Sequence, residues 1–303
     1  MKTILLFFII GLAAAQANAE ERTYSSKSYP TPMTTGFQQT AASLQFLRTA
    51  PRISFLSATT PVVGAFSMRG KIGPVEDQGW CHSCWSFALT TALRGTLKST
   101  SKDPGRLSFN YLLNCNNAGM NCNGGDFAAA ELLVSPHGSP AYGSDGAYTG
   151  SDGSCDPQPP VASALSYKLL GPDFGTHAGH PSPSFKDIAY VVGVLHKPVA
   201  VDIAADWNWT RYSSGIFNSC SGEGGINHMV VIEGYDCGSS TDKAGNCVFD
   251  KEGNLPPGVG TWIIRNSHGA SWGDHGYITM KATGSDGSRC NGAGVDALYF
   301  EAK

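Results

Sequence analysis

The chain has few charged side chains and no excess of positive charge. Only 15% of its 303 residues are charged, and 21 Lys and Arg stand against 24 Asp and Glu, for a net charge of −3. An ordinary soluble domain carries about 25% charged residues. A strongly basic nucleic-acid-binding protein is therefore excluded, and we expect no nucleic-acid partner.

Long apolar runs are also missing from most of the chain. Beyond the first twenty residues no stretch reaches the roughly 18 apolar residues of a transmembrane helix. The first residues comprise Lys2, an apolar run over 4–15, and the small residues Ala17 and Ala19. This pattern is typical of a secretory signal peptide. We therefore expect residues 1–19 to be a signal peptide and the mature chain to be secreted, with no membrane span.

Glycine, proline and cysteine are plentiful. The 37 glycines and 17 prolines favour long turns and loops, while 41% hydrophobic and 10% aromatic residues are enough to bury a core. The nine cysteines are an odd number. Disulfides are the usual fate of cysteine in an exported protein, so complete pairing would leave one thiol free.

The texture of the sequence divides the chain into a leader and a main domain. Residues 20–60 are polar and lack sustained helical periodicity, so we interpret them as a leader or propeptide-like segment. Residues 61–303 form the main domain. Its first half has helical patterns at 84–97, 108–114 (with Ser108 as N-cap) and 126–134. Its second half has strand patterns at 199–203, 229–232, 261–264 and 277–280. This segregation predicts an α+β protein with a helical lobe mainly over 75–165 and a β lobe mainly over 166–303.

Cys84 opens the first predicted helix. A thiol attacks a carbonyl as thiolate, and a helix N-terminus favours that negative charge. Taken alone, a cysteine beside Trp85 and Phe87 is more often a buried small apolar residue than a nucleophile.

The surrounding segments resemble the papain and cathepsin family of cysteine proteases. The segment 78–88, with Cys81-His82-Ser83-Cys84-Trp85 at its centre, is similar to the family's active-site segment. Further matches follow in family order: Cys122-Asn123-Gly124-Gly125, Asn227-His228-Met229, Trp262-Ile263-Ile264-Arg265-Asn266-Ser267 and Ser271-Trp272-Gly273. The resemblance implies a papain-like two-lobed fold with the active-site cleft between the lobes.

The resemblance also implies a role for each matching residue. Cys84 would be the nucleophile and His228 its general base, the pair resting as thiolate and imidazolium. Asn266 would orient the imidazole. Gln78 would donate its amide to the oxyanion, together with the backbone N–H of Cys84.

Other matches imply a peptide-binding groove. Gly124 and Gly125 would bond an extended peptide, and Phe127 and Ile226 would line a pocket for a hydrophobic residue at P2. The remaining predicted substrate contacts are Asn227 and Trp272. We expect an endopeptidase forming an acyl-thioester intermediate, because the groove-blocking double-histidine insert of the carboxydipeptidase branch is absent. It would act as a monomer on peptides and proteins, be inhibited by cystatin-like proteins or propeptides, and need no metal or cofactor.

Three features depart from the family pattern. His82 stands where glycine is usual, and its side chain lies either at the groove's edge or under Gln78. His268 stands where a tryptophan covers the Asn–His bond, so we expect less shielding, a looser His228 and reduced activity. The leader lacks the helical pattern of common family propeptides. We hypothesise that residues 20–60 restrain the enzyme as extended structure, crossing the groove or packing on the β lobe.

Eight of the cysteines can be paired. The resemblance implies the disulfides Cys81–Cys122, Cys115–Cys155 and Cys220–Cys290. Proximity favours Cys237–Cys247, across an insert that repeats an Asp-Lys-x-Gly-Asn turn. Cys84 would then be the free thiol.

Two other functions stay open. Cys81-x-x-Cys84 at a helix start is typical of thiol–disulfide oxidoreductases, although no thioredoxin-like βαβ pattern accompanies it. His268 leaves room for a papain-like protein that binds peptides with little cleavage. His177 and His180 could suggest a metal pair, but no cysteine or acidic partner lies nearby, and disulfide pairing disfavours a zinc site.

Overall fold

The computed structural model describes residues 25–26, 35–38, 40–172, 182–221 and 225–302. The predicted signal peptide at 1–19 and the pair His177 and His180 lie outside these ranges. Within them, no helix is long and apolar enough to cross a membrane.

The elements fall into a helical half and a strand-rich half. The helices are α1 (Ala41–Thr49), α2 (Cys84–Ser99), α3 (Phe109–Cys115), α4 (Phe185–Gly193) and α5 (Trp207–Thr210), with 3₁₀ segments at Phe127–Leu133 and Cys290–Gly292. The strands are β1 (Ser25–Ser26), β2 (Arg52–Ile53), β3 (Ala65–Ser67), β4 (Ser166–Leu170), β5 (Val199–Ile203), β6 (Tyr212–Ser214), β7 (Ile216–Phe217), β8 (His228–Asp236), β9 (Thr261–Arg265), β10 (Tyr277–Lys281) and β11 (Ala297–Glu301).

One nine-stranded sheet carries most of the strands. Its order is β2-β4-β11-β5-β8-β9-β10-β7, with β3 paired to β8. The pairs β2–β4 and β10–β7 are parallel and the other neighbours are antiparallel. β1 and β6 form a separate two-stranded ribbon.

Helix α2 is the centre of the helical lobe. Its apolar residues recur at steps of three and four, so Ala88, Leu89, Ala92 and Leu93 all face one core and are almost completely buried. Gly95 allows close approach of this helix to the β lobe, because a Cβ there would lie 2.4 Å from Cγ of Pro198. The C-terminal part of α2 thus packs closely on the β lobe, while Cys84 at its start contacts Met229 of β8.

Strand β8 joins the cores of the two lobes. Its side chains alternate between faces, as in any strand. Met229 and Val231 pack into the helical-lobe core, whereas Val230 and Ile232 pack into the β-lobe core. His228, the first residue of β8, therefore lies at the junction of the lobes.

The leader differs from the sequence prediction. We expected residues 20–60 to be extended, but residues 41–49 form α1, so that prediction is wrong for this stretch. The helix begins at a capping box, in which the backbone N–H of Ser43 donates to Oγ1 of Thr40 and the Thr40 N–H donates to Ser43 Oγ. Burial of Phe46 and Leu47 against the helical lobe stabilises it. A nine-residue helix held by its cap and by packing has little periodicity of its own.

Disulfides close loops within each lobe. The structure contains four, Cys81–Cys122, Cys115–Cys155, Cys220–Cys290 and Cys237–Cys247, and Cys84 is the one free cysteine. In the insert after Cys237, the repeated turns are closed by Asp242 and Asp250. Each carboxylate accepts two backbone N–H bonds from its own turn.

Candidate active site

Cys84 lies at the start of α2 and at the contact between the lobes. Its side chain is fully buried, and Sγ accepts the backbone N–H of Met229 at 3.3 Å. Cys81 is bonded to Cys122, so it is not available as a redox partner for Cys84. The Cys81–Cys122 disulfide therefore removes the basis for a thiol–disulfide oxidoreductase, which would need Cys81 and Cys84 as its redox pair.

His228 and Asn266 complete the predicted catalytic group. Nε2 of His228 lies 2.8 Å from Oδ1 of Asn266, which directly follows β9. Nδ1 of His228 is buried and has no hydrogen-bond partner in the described part of the chain. The Cys84 sulfur is bonded to Met229, the next residue along β8, so the thiol and this imidazole lie at the same end of the strand.

His268 contacts both members of this pair. Nδ2 of Asn266 lies 2.9 Å from Nδ1 of His268, and the His268 ring stacks on His228 with 5.1 Å between centroids. The ring of Trp209 packs edge-on against His228 at 5.5 Å and against His268 at 6.5 Å. His228 is fully buried and Asn266 only 3% exposed. In this structure Trp209 and the stacked imidazole keep the His228–Asn266 pair out of water, and reduced activity relative to a tryptophan stays a prediction.

Burial sets the protonation of the pair. Desolvation raises the pKa of Cys84 to about 12, against smaller opposing effects of backbone N–H groups. Desolvation, followed by the nearby His268, lowers the pKa of His228 to about 3. This covered site therefore holds a thiol and a neutral imidazole. The thiolate–imidazolium pair expected from the family is disfavoured here, because burial penalises both charges.

The side chain of Gln78 is fixed next to the start of α2. It is fully buried; Ser267 Oγ donates to its Oε1 at 2.6 Å, and its Nε2 donates to the carbonyl of Cys81 at 2.9 Å. The side-chain amide thus has a defined orientation. The side chain of His82 is exposed, which places it at the groove's edge.

The leader crosses the site as a short extended strand. The N–H groups of Gly36 and Phe37 both donate to the carbonyl of Asn227 at 2.9 Å. On the other side, Gly125 donates to Gly36 O at 2.8 Å and accepts from the Gln38 N–H at 3.0 Å. The Gly36 N–H also lies close enough to Cys84 to lower the pKa of its thiol slightly. Gly36 must be glycine, since a Cβ would lie 2.0 Å from the carbonyl oxygen of His82.

The predicted pocket is filled by a leader side chain. Phe37 is buried, its ring 6.2 Å from that of Phe127 at a steep angle. Ile226 packs on the same cluster. At Gly124 a Cβ would lie 2.7 Å from Cγ of Gln38, so the missing side chain leaves room for the strand.

Trp272 is buried beside Trp209. Its ring is fully buried, packs on Trp209 at 4.8 Å, and donates Nε1–H to the carbonyl of Thr210 at 2.9 Å. That Trp272 contacts substrate stays a prediction. Its apolar ring packs behind Trp209, and burial of this large ring stabilises the folded protein.

Two contributors escaped the sequence reasoning. Trp209 has no sequence signal for this role; it is the third residue of α5, and its backbone N–H donates to the N-cap Asp206. Gly36 could have been noticed as a glycine before an aromatic residue in a polar leader. In the described ranges, no group of three or more His, Cys, Asp or Glu could hold a metal ion.

Comparison with known proteins identifies the family to which the chain belongs. The family model for papain family cysteine proteases matches residues 64–296. The chain belongs to the papain family. Vignain from Phaseolus vulgaris is 31% identical over 70% of this chain and 52% of its own length. The chain spans about half the length of the curated relatives it matches.

Solved papain-family structures share the fold. A recombinant stem bromelain precursor is 28% identical, with a TM-score of 0.65, over 84% of this chain and 75% of that one. The bromelain protease from Ananas comosus, in complex with the E64 inhibitor, is 27% identical with a TM-score of 0.60, over 79% of this chain and 99% of that one. The predicted papain resemblance and two-lobed α+β fold are confirmed.

Proposed function

We propose that this chain is a secreted papain-type cysteine endopeptidase, made as a zymogen whose leader covers the active site. The observation that carries the proposal is the grouping of one buried free thiol, Cys84, with a His228–Asn266 pair that leaves one imidazole nitrogen uncommitted. Export is supported by the predicted signal peptide and by four disulfides.

In the proposed reaction Cys84, Gln78 and His228 act one after another. The proton of the Cys84 thiol passes to Nδ1 of His228, and Sγ attacks the scissile carbonyl carbon to form a C–S bond. Gln78 Nε2–H and the Cys84 N–H stabilise the oxyanion. As the C–N bond breaks, His228 returns the proton to the leaving amine. Water then hydrolyses the acyl-thioester, releasing the acid and restoring the thiol.

The groove contacts support a peptide substrate. Leader backbone already bonds both walls, at Gly125 and Asn227, in the extended form a substrate would adopt. Phe37, seated against Phe127, supports a preference for a hydrophobic P2 residue.

The leader fits the role of inhibitor rather than substrate. Its backbone is bonded to both groove walls and its Phe37 ring lies against Phe127, so a substrate cannot enter the groove while the leader is in place. It also removes water from the pair, which holds Cys84 and His228 uncharged.

Controlled removal of the leader tests the proposal. We define the Gln38-cut variant as the full-length chain carrying a recognition sequence for a site-specific protease directly after Gln38. After the cut, we expect an irreversible epoxide inhibitor to label Cys84 once, and fluorogenic peptides with Phe or Leu at P2 to be cleaved faster than those with Asp. Gln78→Ala should lower kcat by about 10²- to 10³-fold.

The controls separate the alternatives. Cys84→Ala in the same variant should abolish both labelling and cleavage. Labelling without turnover would instead indicate the peptide-binding alternative, and equal turnover before and after the cut would refute an inhibitory leader.

A further inference from the structure

The leader has two parts that are attached very differently. Residues 35–38, here called the clasp, contact the groove mainly through backbone hydrogen bonds and the Phe37 ring. Residues 40–58, here called the anchor, contain α1 and β2 and are built into the domain. Segments that bury little surface open far more readily than segments that complete a core.

The helix of the anchor completes the helical-lobe core. Phe46, Leu47 and Ala50 are 6%, 1% and 8% exposed and belong to the same cluster as α2. The Phe46 ring also packs on Tyr167 of β4, 5.3 Å between centroids. Loss of this helix would expose that part of the core to water.

The strand of the anchor extends the main sheet. β2 pairs in parallel with β4, with Leu169 N–H donating to Pro51 O at 2.9 Å and Gly171 N–H donating to Ile53 O at 3.0 Å. The guanidinium of Arg52 also donates to the carbonyl of Leu170. β2 is the outermost strand on this side, so its departure would leave the β4 edge unpaired.

The end of the anchor satisfies a buried carboxylate of the domain. Asp187 is fully buried, and its Oδ1 accepts from Ser54 Oγ and from the Phe55 N–H, while Oδ2 accepts from Ser184. The Phe55 ring stacks on Tyr190 at 4.4 Å. Removing the anchor would leave one oxygen of a buried charge without these donors, which is unfavourable.

Two more hydrogen bonds hold the last residues of the anchor. Nζ of Lys186 donates to the carbonyls of Leu56 at 2.8 Å and Ala58 at 3.0 Å. The side chains of Ser57, Thr59 and Thr60 are nevertheless exposed. A protease could therefore cut the chain at these residues, but the anchor would still be held by its own contacts.

We propose that activating proteolysis occurs on the N-terminal side of the anchor, and that the anchor stays in the active enzyme as a permanent structural part. The inference rests on the proposed function, because only a protease that the leader inhibits needs activation. The clasp would leave while α1 and β2 remain. The boundary between propeptide and enzyme would thus lie near Thr40 rather than near residue 60.

A second cleavable variant tests this division. It carries the recognition sequence after Thr59 as well as after Gln38, so both cuts are made in the folded, full-length protein. On size-exclusion at neutral pH, we expect the fragment ending at Gln38 to separate and the 39–59 peptide to co-elute with the domain. A cut after Thr59 alone should leave Cys84 unlabelled by the epoxide. If the 39–59 peptide elutes apart from a domain with an unchanged thermal midpoint, the inference is overturned.

Matched leucine variants show whether the anchor is held by its core contacts. Leu47→Ala in the doubly cut protein should release the peptide or lower the thermal midpoint by about 5 °C or more. Leu56→Ala, at a side chain 40% exposed, should do neither. Equal effects of the two changes would count against anchoring by the core. If the peptide is retained but no cut makes Cys84 reactive, the proposed function fails while the structural inference stands.

Discussion

His268, which stands where the papain family usually has tryptophan, changes how the His228–Asn266 pair is held. Its Nδ1 lies in hydrogen-bond range of Nδ2 of Asn266, so a neutral imidazole accepts that N–H and turns Oδ1 toward His228. An amide whose two ends are both engaged cannot flip. A tryptophan at this position would cover the Asn266–His228 hydrogen bond, whereas His268 orients the Asn266 amide through a hydrogen bond of its own.

Replacing His268 tests this positioning role. A second imidazole so close disfavours a proton on His228 and lowers its pKa, so His268→Trp should raise that pKa and move the acidic limb of the kcat/KM profile, which reports protonation of this base, to higher pH. Loss of the acceptor for Asn266 should lower kcat with little change in KM. Both are measured on the Gln38-cut variant with a fluorogenic peptide. An unchanged profile would contradict the assignment, and His137→Gln, at an exposed histidine, is the control.

Strands β8 and β9 are joined behind the site by a buried ion pair. Nε of Arg265 donates to Oε1 of Glu233, and both side chains are almost fully buried. Arg265 also donates to the carbonyls of Pro74 and Gly73, and Tyr277 donates to Glu233 Oε2. Because Asn266 follows Arg265 directly, this pair fixes the end of β9 at which Asn266 meets His228.

Arg265→Met should cost about 3–5 kcal/mol of unfolding free energy, because it leaves Glu233 buried without its cation. Burial already raises the pKa of Glu233, and loss of the guanidinium would raise it further. Urea denaturation of the full-length protein measures the change. Lys251→Met removes a cation from an exposed pair and should cost less than about 1 kcal/mol. Similar losses in the two variants would refute the claim.

The same elements show what sequence could predict. The strand predicted at 199–203 matches β5, and α2 begins at Cys84, because alternation and helical spacing follow directly from which face is buried. The stretch predicted as a helix at 126–134 is instead a 3₁₀ segment, and α1 was missed, since both depend on local caps and tertiary packing. The motifs selected Cys84, His228 and Asn266. The buried place of Trp272 and the bond from Asn266 to His268 depend on three-dimensional contacts without a sequence signal.

At the scale of the whole molecule, each disulfide lies within one lobe, whereas the contact of Cys84 between the lobes is not covalent. Cys81–Cys122 and Cys115–Cys155 lie in the helical lobe, and Cys220–Cys290 and Cys237–Cys247 in the β lobe. The ninth cysteine, Cys84, meets the β lobe without a covalent bond. The odd cysteine count thus corresponds to one thiol at the lobe junction.

Thiol titration can follow this junction through activation. In the native full-length protein no thiol should react with a disulfide reagent at neutral pH, because burial raises the pKa of Cys84 to about 12 and only thiolate reacts. Unfolding without reductant should reveal one thiol. The Gln38 cut should reveal the same single thiol in the folded protein, since water then reaches the pair and its charged form becomes less costly. Three thiols on unfolding would refute the pairing, and a fast-reacting thiol before the cut would refute the covering role of the leader.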